Sequence, residues 1–274
     1  MTSIDRSLVF LPGGSTGIGR AAAEQLAARG ADVVIFARRR EPLEAAAAAI
    51  AARAVRPEQR VVWRQCDVAD AARVGDVLGA AIAEIGPPDL LINCAGRAVP
   101  NYFERIDATQ LDETLRINLA GTWHAVQTVL PHMRARRRGH IVNVSSLAGL
   151  IGVFGYTDYC ASKFALIGFS EALRAELRRD GIAVSVLCPP DTDTPGFVTE
   201  NTTKPAETLA ASAGASVLTA DAVAAALLDG ITRQRFLIIP GREARFAYLM
   251  KRFLPGLVTW VMDRQVARSH GGSA

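Results

Sequence analysis

Tyr159 and Lys163 stand four residues apart in the stretch "YCASK". On a helix, that spacing projects both side chains from one face. A free phenol releases its proton near pH 10. An adjacent ammonium favours the phenolate and brings the pair toward acid–base work at ordinary pH. Thirteen residues before Tyr159 stands Ser146, the second of the pair Ser145-Ser146. Its hydroxyl can hydrogen-bond an oxygen held in front of the phenol. The plain alternative is surface decoration, since Tyr and Lys at this spacing are common on helices. Tyr156 lies nearby, but the residue four after it is Cys160, so it lacks the lysine and reads as a bystander.

A second constellation is built for phosphate. Gly13-Gly14-Ser15-Thr16-Gly17-Ile18-Gly19 follows a short apolar run and precedes an alanine-rich one. Glycines at such a strand-to-helix turn let backbone N–H groups approach a pyrophosphate, and the helix N-terminus adds a positive dipole end. Gly13, Ser15, Thr16, Gly17, Ile18 and Gly19 are the candidate contacts. After the next apolar run comes Ala37-Arg38-Arg39-Arg40. A free ribose 2′-hydroxyl would call for an acidic residue there. Ala37 cannot serve, whereas Arg38 can pair with a 2′-phosphate and Ser15 can add a hydrogen bond. Arginines at a helix start also oppose its dipole, which favours a phosphate partner over three merely solvated side chains. The expected cofactor is therefore NADPH/NADP. Asp67 can accept from an adenine amino group and Val68 can pack on the ring, although Asp67 can equally be a helix N-cap. Asn93, Ala95 and Gly96 are small enough to let a dinucleotide cross. The positive nicotinamide ring of the oxidised cofactor would further favour the Tyr159 phenolate, and Lys163 can hold the nicotinamide ribose.

Ten-residue-scale alternation of apolar runs positions these groups. "SLVFLP", "ADVVIFA", "RVVWRQCDV", "PDLLINCAG", "GHIVNVSS", "IAVSVLCPP" and "RFLIIPG" read as strands, and the segments between them carry helical periodicity. Unbroken β–α alternation with near-continuous apolar strands means a mostly parallel sheet covered on both faces. The expected class is α/β, a doubly wound (Rossmann) seven-stranded sheet with a C-terminal helical extension. "ATQLDETLRINLAGTWHAVQTVLPHMRARR" reads as one long helix. Ligands of such sheets bind at the carboxyl ends of the strands, where every candidate above falls. One domain over 1–274 is the economical organisation, with 195–219 as a substrate lid and 242–274 as an amphipathic extension.

Composition narrows the function. Half of the 274 residues are apolar and the formal net charge is +4. Only Lys163, Lys204 and Lys251 are lysines, and no basic stripe is interleaved with aromatics, so nucleic acid is not expected as a partner. Cys66, Cys94, Cys160 and Cys188 are widely spaced, which suits buried free thiols in a reducing compartment and offers no metal site. The N-terminal apolar run is too short for a signal peptide, and no stretch reaches the length of a membrane span. The expected location is the cytoplasm.

Taken in order, "GGSTGIG", "CDV", "NCAG", "INLAG", "IVNVSS" and "YCASK" resemble the short-chain dehydrogenase/reductase family over nearly the whole chain. The resemblance implies a catalytic set of Asn118, Ser146, Tyr159 and Lys163, with Asn118 holding a water between the lysine and solvent. It also implies nicotinamide contacts from Pro189, Thr192 and Thr194, in the stretch "CPPDTDTPGFVTEN". Two departures stand out. Pro12 replaces the usual Thr before the glycine loop, which is expected to loosen that loop against the "NCAG" turn. Cys94 replaces a commoner Asn. The segments "NCAGRAVPNYFE", "GLIGVFGYTDYCASKFALIGFSEAL" and "DTDTPGFVTENTTKPAET" are further similar to the 3-ketodihydrosphingosine reductase subgroup. That implies a long-chain lipid-like substrate bearing a ketone, an ammonium and a hydroxyl. Asp191 or Asp193 could attract the ammonium, and both could equally cap the turn. A reductase of another lipid-like or steroid-like alcohol is the alternative, and a dinucleotide sensor without turnover is a third. Members of the family commonly pair through the two long helices as homodimers and homotetramers, which the resemblance implies here, although those helix faces could equally serve a monomer.

The tail repeats Phe246, Leu249, Met250, Phe253, Leu254, Leu257, Trp260 and Val261 at helical spacing, broken by Pro255-Gly256. One reading is an interfacial anchor that holds the chain peripherally at the inner face of the membrane. The other is a cover for the substrate pocket or a subunit contact.

Overall fold

The computed structural model describes residues 2–212 and 214–270. Short buried apolar runs become strands and the alternating segments become helices. The order is β1 (Leu8–Pro12), α1 (Gly17–Ala27), β2 (Asp32–Ala37), α2 (Arg40–Ala51), β3 (Val61–Gln65), α3 (Ala71–Ile85) and β4 (Leu90–Asn93). Then follow α4 (Ala108–Leu115), α5 (Gly121–Arg136), β5 (Gly139–Val144), α6 (Thr157–Leu177) and β6 (Ile182–Leu187). The last third holds β7 (Thr192–Asp193), α7 (Pro195–Asn201), α8 (Ala206–Ser212), β8 (Leu218–Thr219), α9 (Ala220–Thr232), β9 (Leu237–Ile238), α10 (Arg242–Phe253) and α11 (Pro255–His270).

Seven strands form one sheet in the order β3-β2-β1-β4-β5-β6-β9, and every pairing is parallel. The chain winds outward from β1 to β3, then returns to continue from β4 on the other side. That reversal opens a crevice beyond the carboxyl ends of β1 and β4. Strand alternation supplies a core on each face. Val9, Leu11, Val33 and Ile35 meet Leu26 and Leu227 on one side. Phe10, Val34 and Phe36 meet Leu78, Met133 and Leu177 on the other. Each fully buried side chain of this size contributes about 1.5–3 kcal/mol.

One expectation is corrected. The long helix is not uniform: Arg116–Ala120 forms a π-helical turn between α4 and α5, with Asn118 buried within it. A π-turn takes up an extra residue in the helical ladder and commonly marks a functional site. The segment 195–219, expected as a substrate lid, has secondary structure of its own. It carries α7 and α8, and its ends are joined by the parallel pairs Thr192↔Leu218 and Asp193↔Thr219. Cys94 N–H donates to the Pro12 carbonyl at 2.8 Å, which ties the end of β1 to the "NCAG" turn.

The tail forms the two expected helices, with α11 packed on α10 and on α8. Phe246, Phe253, Leu254 and Trp260 are each at least half exposed. No helix among the described residues is long and apolar enough to cross a membrane.

Candidate active site

The start of α6 aims the acid–base pair. Asp158, buried in its first turn, accepts from Thr114 Oγ1 at 2.8 Å and Gln110 Nε2 at 3.2 Å, which fixes α6 against α4. Ser145 Oγ donates to the Lys163 carbonyl at 2.9 Å and pins the next turn to the end of β5. Gly149 makes room for that contact, since a Cβ there would lie 2.4 Å from Ser145 Oγ. Lys163 Nζ consequently sits 5.6 Å from the centre of the Tyr159 ring and donates to the Val144 carbonyl at 2.9 Å. That carbonyl is its one hydrogen-bond acceptor among the described residues, so two of its three N–H bonds are left for a ligand.

Ser146 Oγ accepts from Ala148 N–H at 3.1 Å and lies close enough to the Tyr159 hydroxyl to act on its proton. Burial raises the Tyr159 phenol well above its usual value; the Ser146 hydroxyl works against this, and the negative charges of Glu200 and Asp191 add to it. Tyr159 is therefore neutral and able to donate a proton. Burial lowers the Lys163 ammonium to about 8.

Asn118 turns inward at the π-turn. Its Oδ1 accepts from Arg97 N–H at 2.8 Å, while its Nδ2 donates to the Arg97 carbonyl at 2.9 Å and to Ser162 Oγ at 3.0 Å. The side chain braces the turn after β4 against α6. A Cβ on Gly96 would lie 3.3 Å from Lys163 Nζ and 3.4 Å from Asn118 Oδ1, so only a glycine leaves this junction open.

The glycine loop fits a dinucleotide by shape and by donor count. Gly13 has φ +86, and a Cβ there would lie 2.4 Å from Ala95 N. A Cβ on Gly19 would lie 2.1 Å from the Gly13 carbonyl, and one on Gly17 would press on Thr194. Thr16 stands at the N-cap of α1 yet makes no side-chain cap bond, so the first N–H groups of α1 have no cap partner. Ser15 and Ile18 complete this loop, Ser15 buried and Ile18 packed on the core.

At the far end Arg38 and Arg40 differ. Arg40 is held by Glu44 and the Trp63 ring. Arg38 is exposed, with Nη1 4.0 Å from Asp67 Oδ2. Asp67 is not the N-cap of α3; Asp70 is, accepting from Arg73 N–H at 3.0 Å. Asp67 Oδ1 instead accepts from Ala69 N–H, which presents Val68 to Gly121. Asn93 Nδ2 donates to Asn143 Oδ1 at 2.9 Å, while its own Oδ1 is buried without a partner among the described residues. The Pro189 carbonyl accepts from Leu147 N–H, Thr192 Oγ1 donates to the Pro190 carbonyl, and Thr194 caps α7.

Sequence reasoning missed the residues between the tyrosines and α7. Tyr156, read as a bystander, packs its ring 5.8 Å from that of Tyr159, and its hydroxyl donates to Glu200 Oε1. Glu200 also holds Lys204 at 3.4 Å. The four-residue spacing of Glu200 and Lys204 was the available signal. Of the two aspartates singled out, Asp191 is half-buried and raises both tyrosines, whereas Asp193 is exposed. The four cysteines are free; Cys94 and Cys188 lie near Lys163 and are raised by burial to about 11 and about 12.

The family model described as short chain dehydrogenase matches residues 7–205. A Bos taurus protein named 3-ketodihydrosphingosine reductase is 38% identical over 258 residues, 93% of this chain and 77% of its own. A Danio rerio 3-dehydrosphinganine reductase is 41% identical over 201 residues, 73% of this chain and 60% of its own. Among solved structures, a Burkholderia phymatum short chain dehydrogenase/reductase in complex with NAD superposes with TM-score 0.82 at 26% identity, covering 94% of this chain and 96% of that one. A Sphingobium yanoikuyae short-chain dehydrogenase in complex with NADPH gives TM-score 0.77 at 27% identity, covering 92% and 95%.

Proposed function

The chain belongs to the short-chain dehydrogenase family and is an NAD(P)-dependent ketoreductase; from that premise we propose that it uses NADPH to reduce 3-ketodihydrosphingosine to dihydrosphingosine in sphingolipid synthesis. The observation that carries the chemistry is the cluster of Ser146, Tyr159 and Lys163 around one point beyond β5. The substrate rests on the names of the relatives, whose similarity spans the loops around that cluster.

When bound, the dinucleotide supplies a hydride to the ketone carbon. Tyr159, kept neutral by burial, gives its proton to the ketone oxygen as the carbonyl electron pair moves there, and a secondary alcohol results. Ser146 orients that oxygen. Lys163 turns its two remaining N–H bonds to the ribose hydroxyls, and its charge steadies the phenolate left behind. Asn118 acts as a positioning residue, since its amide is occupied by Arg97 and Ser162. The loop residues Gly13 to Gly19, with Asn93, Ala95 and Gly96, cradle the pyrophosphate and riboses. Asp67 and Val68 hold the adenine, and Pro189, Thr192 and Thr194 border the nicotinamide. Arg38 takes the 2′-phosphate: its pair with Asp67 is long and exposed, worth little on its own, and leaves the guanidinium available.

The segment 195–219 covers the substrate. The exposed apolar face of α10 and α11, with Lys251 and Arg252 beside it, rests on an anionic membrane surface, so the enzyme works in the cytoplasm at the inner face of the membrane. Exposed Trp123 and Phe164 make α5 and α6 the face for a second copy.

The test is NADPH oxidation with 3-ketodihydrosphingosine in mixed micelles, with NADH in parallel. The expected result is turnover with NADPH, weak turnover with NADH, and a preference at least tenfold smaller in Arg38→Ala. No turnover of this ketone by a protein that binds NADPH would refute the substrate; equal rates with both cofactors would refute the 2′-phosphate role.

A further inference from the structure

A 2-amino-3-ketone fixes where its ammonium must lie. Covalent geometry holds the nitrogen about 3 Å from the carbonyl oxygen, and that oxygen sits about 2.7 Å from the donating phenol. The ammonium therefore arrives within about 5–6 Å of the Tyr159 hydroxyl. The carboxylates whose charge reaches Tyr159 are Glu200, in α7, and Asp191, after β6.

Glu200, in the last turn of α7, is tied to this place by Tyr156, whose ring neighbours that of Tyr159 and whose hydroxyl donates to Glu200 Oε1. Lys204 follows one turn later. Its side chain is 2% exposed, and its Nζ lies 3.4 Å from Glu200 Oε1 and 4.2 Å from the centre of the Phe197 ring. A carboxylate edge on one side and an aromatic face on the other is the environment that takes an alkylammonium from water. Here the protein's own alkylammonium fills it. Both contacts fall on Oε1, and Oε2 has no hydrogen-bond partner among the described residues. Asp191 adds negative charge, bearing on both Glu200 and Tyr159.

We propose that Glu200 is the carboxylate that receives the substrate ammonium, and that Lys204 keeps this place when no substrate is bound. The inference rests on the amino ketone reading above. Lys204 has a long flexible stem and stands on the covering segment, so it can leave for water as the substrate nitrogen enters. The charge around Glu200 stays balanced through the exchange. A ketone without the amine cannot displace Lys204 by this route, which makes the pair a filter for amino ketones.

The experiment compares kcat/KM for the amino ketone with kcat/KM for the same long-chain ketone lacking the amine, in wild type, Glu200→Gln, Lys204→Met and Asp191→Asn. Glutamine still accepts the Tyr156 hydroxyl but carries no charge. The expected result is that Glu200→Gln lowers the preference for the amino ketone about 10- to 100-fold, the size of a lost charge-assisted hydrogen bond. Lys204→Met, which removes the competitor, should lower KM for the amino ketone several-fold. Equal losses on both ketones in Glu200→Gln would mean a merely structural clasp and overturn the proposal. A selective loss in Asp191→Asn with none in Glu200→Gln would overturn it in favour of Asp191. In both cases wild-type turnover of the amino ketone leaves the proposed function standing. If wild type does not turn the amino ketone over, both fall together.

Discussion

Replacing Lys163 with methionine removes a charge the fold holds at a cost. Nζ lies in the core beside Val144 and the Tyr159 ring, with no carboxylate paired to it among the described residues. Burial lowers its pKa from 10.5 to about 8. That difference corresponds to about 3 kcal/mol held against the folded state wherever both states are protonated, below about pH 8. Between about pH 8 and 10.5 the unfolded chain keeps this proton and the folded chain has released it. The unfolded state then binds more protons, so wild-type stability gains as pH rises through the window. In Lys163→Met the cost is absent at every pH. The variant does lose the bond to Val144 O, about 1 kcal/mol or somewhat more, but this is independent of pH. At pH 7 the variant should be more stable by about 1–2 kcal/mol, a few degrees in Tm, while turnover is lost. Its advantage should shrink by about 3 kcal/mol between pH 7.5 and 10.5. Thermal melts of both proteins without dinucleotide measure this. Groups common to the two chains cancel in the difference. Parallel curves across that range would refute the account of Lys163 as a desolvated, unpaired ammonium.

Tyr159→Phe should lower kcat about 10²- to 10⁴-fold, the usual share of a positioned acid, while NADPH affinity by fluorescence titration stays within about threefold; turnover within tenfold of wild type would assign the proton to another group. His140 is buried between Thr2 Oγ1 and Ser185 Oγ, and burial lowers it to about 4. Between pH 6.5 and 4 the unfolded chain holds a proton the folded chain refuses, so stability should fall on acidification by up to about 3 kcal/mol from this residue. Urea unfolding of His140→Gln should show a flatter pH slope, and an unchanged slope would place the acid sensitivity elsewhere.

The residues that local chemistry governs were readable in the chain. Strand ends are announced by the apolar run that precedes them, so the glycine loop, Asp67, Asn93 and Ser146 could be placed at one edge of the sheet before any coordinates. Tyr159 and Lys163 could be paired because four residues is a helical neighbourhood. What escaped depends on contacts between distant residues or on one residue of helical register. Nothing in "RINLAGTW" marks a π-turn, because the extra residue is accommodated by packing on Val68 and Arg97 and not by side-chain preference. Tyr156 looked idle because its partner lies 44 residues away. Both aspartates near Val68 satisfy the pattern of an N-cap, and only the backbone path selects Asp70. The fate of Lys204 could not be seen either, since a lysine in a polar stretch ordinarily faces water.

The two short strands that close the 195–219 segment, β7 and β8, make it a cassette. The chain leaves the frame at Thr192 and rejoins it at Thr219 beside its own point of departure. The sheet pairing does not run through the segment between, whose ties to the frame are side contacts such as Thr208 to the Phe154 carbonyl, and doubling such a loop costs only about 0.6 kcal/mol in closure entropy. On the proposed covering role of this segment, recognition of the ketone and catalysis of its reduction are free to evolve at different rates. A chimera carrying another family member's segment between Pro195 and Val217 should keep dinucleotide affinity while changing the ketones it accepts. Loss of dinucleotide binding in such chimeras would show that the frame depends on its cassette after all.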